Sequence, residues 1–152
     1  MQVHIADEVV VNAPTPTVWR EIKDPALHTE WHPFVTQISG EHSLGATRSC
    51  AVLLGKKAAE TKERCVAEDD ERRLAWKIEE DTSGFLRMVT DWTAGFRLEP
   101  ADAGATRVIA ESDFAPKNAL VRLMMPMVRR KFHGAQRAIL AGLKDAAEKP
   151  RS

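Results

Sequence analysis

The sequence predicts an α+β domain: one curved, seven-stranded antiparallel sheet, two short helices after the first strand, and a long C-terminal helix packed over the sheet to enclose a cavity. Three observations carry this expectation. Apolar residues alternate through the first strand, turn residues divide residues 34–114 into six short runs, and the apolar spacing becomes helical from residue 118 to about 147. At 152 residues the chain has the length of one ordinary domain, placed at residues 1–147, with 148–152 expected as a disordered tail.

The elements follow in order. Val3, Ile5, Val9 and Val11 alternate as in a half-buried strand, interrupted only by Asp7. Asn12, Pro14 and Pro16 break it. Val18, Trp19 and Ile22 then take near-helical spacing up to Asp24-Pro25, and a second short helical stretch runs through Leu27 and Trp31 to Pro33. Turn signals at 40–45, 55–57, 68–72, 81–84 and 100–104 separate six consecutive strands.

The turns also fix which side chains share a face, because paired residue numbers in a hairpin add to a constant. A Lys56-Lys57 loop pairs Cys50 with Glu63 and puts Arg48, Cys50, Val52 and Leu54 on one face with Thr61, Glu63 and Cys65. A turn centred on Asp70-Glu71 sets Glu63 opposite Ile78, Cys65 opposite Trp76 and Ala67 opposite Leu74. A Thr82-Ser83-Gly84 loop with left-handed Gly84 adds Met88, Thr90, Trp92, Ala94 and Phe96, and the last turn adds Thr106, Val108, Ala110, Ser112 and Phe114. This face needs a cover, while Lys62, Arg64, Lys77, Glu79, Asp91, Arg97, Arg107, Glu111 and Asp113 mark the other as solvated.

The cover is the C-terminal helix. Leu120, Met124, Met127, Val128, Phe132, Ala135, Ile139 and Leu143 form its apolar stripe, and Arg129, Arg130, His133, Gln136, Arg137 and Lys144 point away. Asn118 suits the N-cap, and Pro126 either kinks the helix or starts its main part.

Composition narrows the function. Lys+Arg and Asp+Glu both count 22, so the basic excess expected of a nucleic-acid binder is missing. No run is long and apolar enough for a membrane span, Asp7 and Glu8 stand where a secretory signal is apolar, and two cysteines favour a reducing compartment. A cytoplasmic monomer or homodimer is expected, without metal or other cofactor.

One long helix cannot fill the concave side of so broad a sheet, so some space should remain inside. At this point the sequence resembles the helix-grip superfamily of START-like lipid-transfer domains, pollen-allergen-like proteins and bacterial polyketide cyclase/dehydrase proteins (SRPBCC). The resemblance runs over nearly the whole chain. It rests on Asn12-Ala13-Pro14, Val18-Trp19, Asp24-Pro25, Trp31-His32-Pro33, Leu44-Gly45-Ala46-Thr47-Arg48, Glu63-Arg64, Leu74-Ala75-Trp76, Gly104-Ala105-Thr106-Arg107-Val108 and the Ala141 to Lys144 ending. It implies a fold more firmly than an activity, since such relatives include enzymes, carriers and sensors.

Arg48 and Glu63 are the sharpest chemical signal, two charges on a face dominated by Trp76, Ile78 and Trp92. An unpaired buried ion costs several kcal/mol, so the two either bind each other, as a structural pair, or anchor a polar ligand group. His28 and His32 have zinc-site spacing but lack the adjacent Glu and a third ligand, which leaves His32 as a pocket-mouth or helix-end histidine. Trp76 and Trp92 either stack on a flat ligand or fill core volume, and Trp19 belongs to the core. Met124, Met125 and Met127 are flexible core or ligand contacts, and Lys131 falls in the stripe by angle. Cys50 and Cys65 are two buried thiols, or cross-strand neighbours if their hairpin slips to a Lys57-Ala58 loop. Arg129-Arg130-Lys131 either solvates the helix or touches an anionic surface.

The expected ligand-binding lining is thus Arg48, Glu63, Trp76, Ile78, Thr90, Trp92 and Ser112 from the sheet, Met124 and Val128 from the helix, and His32 at the mouth. Its ligand is a hydrophobic or aromatic small molecule of lipid, polyketide or isoprenoid type. The enzymatic alternative, implied by the cyclase/dehydrase resemblance, is aldol closure and dehydration with Arg48 at a developing oxyanion, Glu63 as acid or base, and Thr90 or Ser112 as orienting hydroxyls. A partner-binding or stress-related regulatory role needs an exposed apolar patch, and the pattern displays none.

Overall fold

The computed structural model describes residues 2–150. Strand β1 (Val3–Val11) alternates inward and outward residues as expected. Helix α1 (Thr15–Lys23) starts with a proline in its first turn and turns Val18, Trp19 and Ile22 inward. Helix α2 (Pro25–Trp31) follows at once, capped by Asp24, whose carboxylate accepts the Ala26 N–H at 2.9 Å. Six strands follow: β2 (Val35–Gly40), β3 (Thr47–Leu54), β4 (Lys57–Asp69), β5 (Arg73–Asp81), β6 (Val89–Pro100) and β7 (Thr106–Pro116). All pairings are antiparallel in the order β1-β7-β6-β5-β4-β3-β2, so the first strand closes onto the last.

Most faces are as expected, although Leu54 is exposed at its strand end, and several registers differ. The β3–β4 loop is Gly55-Lys56, one residue earlier than expected, because Gly55 takes φ +65° and opens the tight turn. Partners slide by two, which preserves each face while setting Arg48 directly opposite Glu63 and Cys50 opposite Thr61. Cys50 and Cys65 are therefore not cross-strand neighbours; both are free, buried thiols. Glu63 faces Ile78 and Cys65 faces Trp76 as expected, but a bulge after Cys65 pairs Ala67 with Ala75 instead of Leu74.

Gly84 does adopt a left-handed φ of +96°, yet the chain makes one extra helical turn at Phe85–Arg87 before β6 begins. A further bulge between Thr90 and Thr93, with Asp91 at φ +54°, exchanges the two sides of the strand. Val89 is consequently buried and Thr90 exposed, against the expectation that Thr90 faces inward. Beyond the bulge the expected face resumes at Ala94 and Phe96.

The terminal segment is two helices, α3 (Ala119–Leu123) and α4 (Met125–Glu148). Asn118 caps α3 through its carboxamide oxygen and the Val121 N–H at 2.9 Å, and Pro126 sits in the first turn of α4, where no hydrogen bond is lost. The break turns the inward line. Val121, Met125 and Val128 are buried, whereas Leu120 and Met127, expected in the stripe, are exposed. Gln136, expected outward, is buried, and Lys131 is exposed. Glu148, expected in the disordered tail, ends α4 and accepts the Asn12 N–H at 2.7 Å; residues 151 and 152 lie outside the described residues.

Helix α4 lies along β1 and β7 and against α1 and α2. Beneath it the interior is organised by two apolar clusters where a single cavity was expected. The first joins Val18, Trp19, Ile22, Trp31, Trp76, Phe96, Leu140 and Leu143. The second joins Val3, Ile5, Val89, Phe114, Val121, Met125 and Val128, edged by half-buried Phe85, Met88, Trp92, Met124 and Phe132. At Gly142, α4 crosses the Trp31 carbonyl so closely that a Cβ would stand 2.5 Å from its oxygen. A concavity of about 540 Å³ lies along the β4–β5 turn and the end of β6, lined by residues 69–73 and 97–100 with Thr15.

Candidate functional site

The register that pairs Arg48 with Glu63 builds the main polar feature of the interior. Both are buried, at 6% and 9% exposure. Glu63 Oε1 accepts from Arg48 Nε at 3.0 Å and Nη2 at 2.7 Å, while Oε2 accepts from the Thr61 hydroxyl at 2.7 Å. Arg48 Nη1 donates to His42 Nε2 at 2.7 Å, and the guanidinium carbon stands 3.7 Å from the Trp76 ring centroid. Ion, counter-ion and aromatic face thus satisfy one another, which makes burial tolerable.

Three histidines surround this pair. Because His42 Nε2 accepts from Arg48, its proton sits on Nδ1, which donates to the Ile22 carbonyl at 3.0 Å; His28 Nδ1 lies 3.2 Å from the same oxygen. His32 Nδ1 accepts the Phe34 and Val35 N–H groups at 3.1 and 3.0 Å, so its proton sits on Nε2. His28 stacks on His32 at 5.2 Å and meets the His42 edge at 5.3 Å. Burial first, and then the Arg48 charge, lower His28 well below its ordinary range and hold His42 at about 4 and His32 at about 3. Near pH 7 all three are neutral. Among the described residues no group of three His, Cys, Asp or Glu side chains is arranged to hold a metal.

The indoles of Trp76 and Trp92 differ from this satisfied network. Each Nε1 is buried, and neither has a hydrogen-bond partner among the described residues. Trp31 shows the contrast, since its Nε1 donates to the Glu21 carbonyl at 2.9 Å. Buried donors are nearly always paired, so two orphans on the covered face single it out.

The expected lining separates into groups. Arg48, Glu63, Trp76 and Ile78 come together, with His32 joined through His28, which meets the Trp76 ring at 6.1 Å. Trp92, Met124 and Val128 belong instead to the second cluster, where Trp92 packs edge-on against Phe85 at 4.9 Å. Ser112 is buried but engaged elsewhere: its hydroxyl donates to Gln136 Oε1 at 2.8 Å, and Gln136 Nε2 donates to Asp7 at 2.8 Å. Thr90 is on the outer side. Burial pushes the Cys50 thiol up to about 11, which removes it as a nucleophile at neutral pH.

Sequence reasoning missed His42, Thr61 and Gln136. Thr61 was within reach, because the strand arithmetic already placed it on the covered face. His42 lies between β2 and β3 and gives no periodic signal; only the folded loop brings it to Arg48.

The profile of the family described as polyketide cyclase / dehydrase and lipid transport matches residues 2–148. No curated protein matches the chain by sequence. Among solved structures, the Zhui aromatase/cyclase from Streptomyces sp. R1128 is 19% identical with a TM-score of 0.77, over 97% of this chain and 94% of its own. Truncated norcoclaurine synthase from Thalictrum flavum is 14% identical with a TM-score of 0.78, over 99% and 96%. Ginseng major latex-like protein 151 from Panax ginseng is 10% identical with a TM-score of 0.79, over 98% and 99%. These likenesses establish the helix-grip fold.

Proposed function

The chain belongs to the polyketide cyclase/dehydrase and lipid transport family, and from that premise we propose that it binds a hydrophobic or aromatic small molecule of lipid, polyketide or isoprenoid type between the sheet and α4. The observation that carries this reading is the two unpartnered indole donors on the covered face, Trp76 against the Arg48 guanidinium and Trp92 at the edge of the second cluster. Leaving a buried N–H unpaired costs about 1–3 kcal/mol. A ligand carbonyl or ether oxygen accepting from these groups recovers that cost. Met88, Met124 and Phe132, half-buried at the edge of the second cluster, are the side chains that move aside to admit it.

Apolar burial supplies the affinity. At about 25 cal/mol per Å², covering a few hundred Å² yields several kcal/mol, enough for micromolar binding before ordering costs. Aldol cyclisation is less well supported. Thr90 and Ser112 do not stand beside Arg48 and Glu63, and both Glu63 oxygens already accept hydrogen bonds.

Native mass spectrometry of the protein purified from its source cells tests the reading, with the expected result a mass above that of the bare chain. Thermal-shift screening with aromatic ketones and isoprenoids then identifies ligands. Trp76→Phe and Trp92→Phe keep the ring and delete the donor, and should each weaken an oxygen-bearing ligand about fivefold. A bare-chain mass together with no ligand-induced rise in melting temperature overturns the proposal.

A further inference from the structure

The exposed side of the α3–α4 junction has properties that the ligand reading does not use. Leu123 and Leu120 are 79% and 70% exposed and Met127 is 50% exposed. Leu120 and Leu123 lie three residues apart on α3, and Met127 follows in the first turn of α4, so the three flank the junction that turns Val121 and Met125 inward. The Lys, Arg, Asp and Glu residues along this stretch of the chain are of one sign. Residues 114–144 contain seven Lys and Arg and no Asp or Glu, in a chain whose totals balance at 22 each. Arg137 and Lys144 are neutralised by Asp7 and Glu148, and Arg129 reaches the His4 carbonyl. Arg122, Arg130 and Lys131 form no ion pair among the described residues.

We propose that this surface docks peripherally on an anionic lipid bilayer. Leu120, Leu123 and Met127 enter the headgroup boundary, and Arg122, Arg130 and Lys131 lie among the anionic headgroups, their long stems letting the charges stay at the polar level. Charge complementarity decides the occupant. A second copy of the chain would bring like charges together. Protein hot spots favour Trp, Tyr and Arg and are poor in Leu, whereas outward leucines beside unpaired basic residues are the composition of an interfacial segment. Among the described residues no helix is long and apolar enough to cross a membrane. This docking stands independently of the ligand reading.

Co-sedimentation of the full chain with phosphatidylcholine vesicles, with and without phosphatidylserine, tests this. Binding is expected only with phosphatidylserine present, and it should weaken as salt rises. Arg130→Glu and Lys131→Glu should each reduce it by about fivefold or more, and Leu120→Ser with Leu123→Ser by on the order of tenfold. Unchanged melting temperatures verify that these exposed substitutions leave the fold intact. No sedimentation, equal sedimentation with phosphatidylcholine alone, or binding unaltered in both variant sets overturns the proposal. Capture of soluble polyglutamate by the parent chain but not the charge variants, with no vesicle binding, would assign the surface to an acidic protein instead.

Discussion

Two polar networks cross the interior of this domain, and they differ in how they meet water. At the β1–α4 seam, Asp7 accepts from Gln136, His133 and Arg137, but the His133 and Arg137 side chains stay partly or largely exposed. Under α2, both members of the Arg48–Glu63 pair are almost wholly enclosed, with His42, Thr61 and Trp76 completing their surroundings. The seam is a clamp whose charges keep a solvent escape. The inner pair has none, so its contribution depends on every partner remaining in place.

The largest expected effect follows from removing one member of the inner pair. Arg48→Met strands the Glu63 carboxylate and deprives His42 of its donor, so urea unfolding should show a loss of about 3–5 kcal/mol. Adding Glu63→Leu removes the stranded charge and should restore most of that loss. A single variant no weaker than the double would show that water already reaches the pair, erasing the contrast with the seam.

Acid should distinguish the two regions next. In the unfolded chain histidine titrates near 6.5, whereas burial and Arg48 hold His42 at about 4 and His32 at about 3 in the folded protein. Below pH 6.5 the unfolded chain therefore binds protons that the folded protein refuses. The stability due to these neutral imidazoles is complete above that pH, falls as the medium acidifies, and is exhausted near pH 4 for His42 and near pH 3 for His32. Each should cost about 2 kcal/mol by pH 5. His42→Gln should flatten the pH dependence measured by urea unfolding between pH 7 and pH 5; an unchanged slope would contradict the assigned burial.

At the seam the effect should be smaller. Asp7→Asn keeps the shape but loses the ionic acceptor for His133 and Arg137, for an expected cost of about 1.5 kcal/mol in the same measurement. A loss as large as that of Arg48→Met would mean that the clamp is as closed as the inner pair.

The sequence made the strands, the turn sites and most faces legible because alternation and turn chemistry are local, and a two-residue slip preserves the face. Arg48 and Glu63 could thus be placed together even though their register was wrong. Asp7 looked like a mere interruption of β1, since its partners lie on a helix more than a hundred residues away. The helix stripe was misread at Leu120, Met127 and Gln136 because one continuous helix was assumed through Pro126, and because a glutamine gives no sign that a buried serine and an aspartate await it. His42 was hidden by its loop, and the bulges after Cys65 and Thr90 by the lack of any strong local marker.

Ser112 and Thr90 bring the comparison to its smallest scale. Both hydroxyls follow the same alternating pattern, and alternation alone puts both inside. Ser112 is paired with Ile5 in an unbroken register and joins the seam through Gln136, so Ser112→Ala should cost about 1 kcal/mol for a buried hydrogen bond lost. Thr90 precedes the extra residue that exchanges the two sides of β6, and its side chain meets water. Thr90→Ala should therefore change stability by no more than about 0.5 kcal/mol and leave ligand uptake unaltered. If urea unfolding and ligand titration instead show Thr90 to be the costlier substitution, the bulge is not where Asp91 puts it, and the hydroxyl returns to the lining beside Trp92.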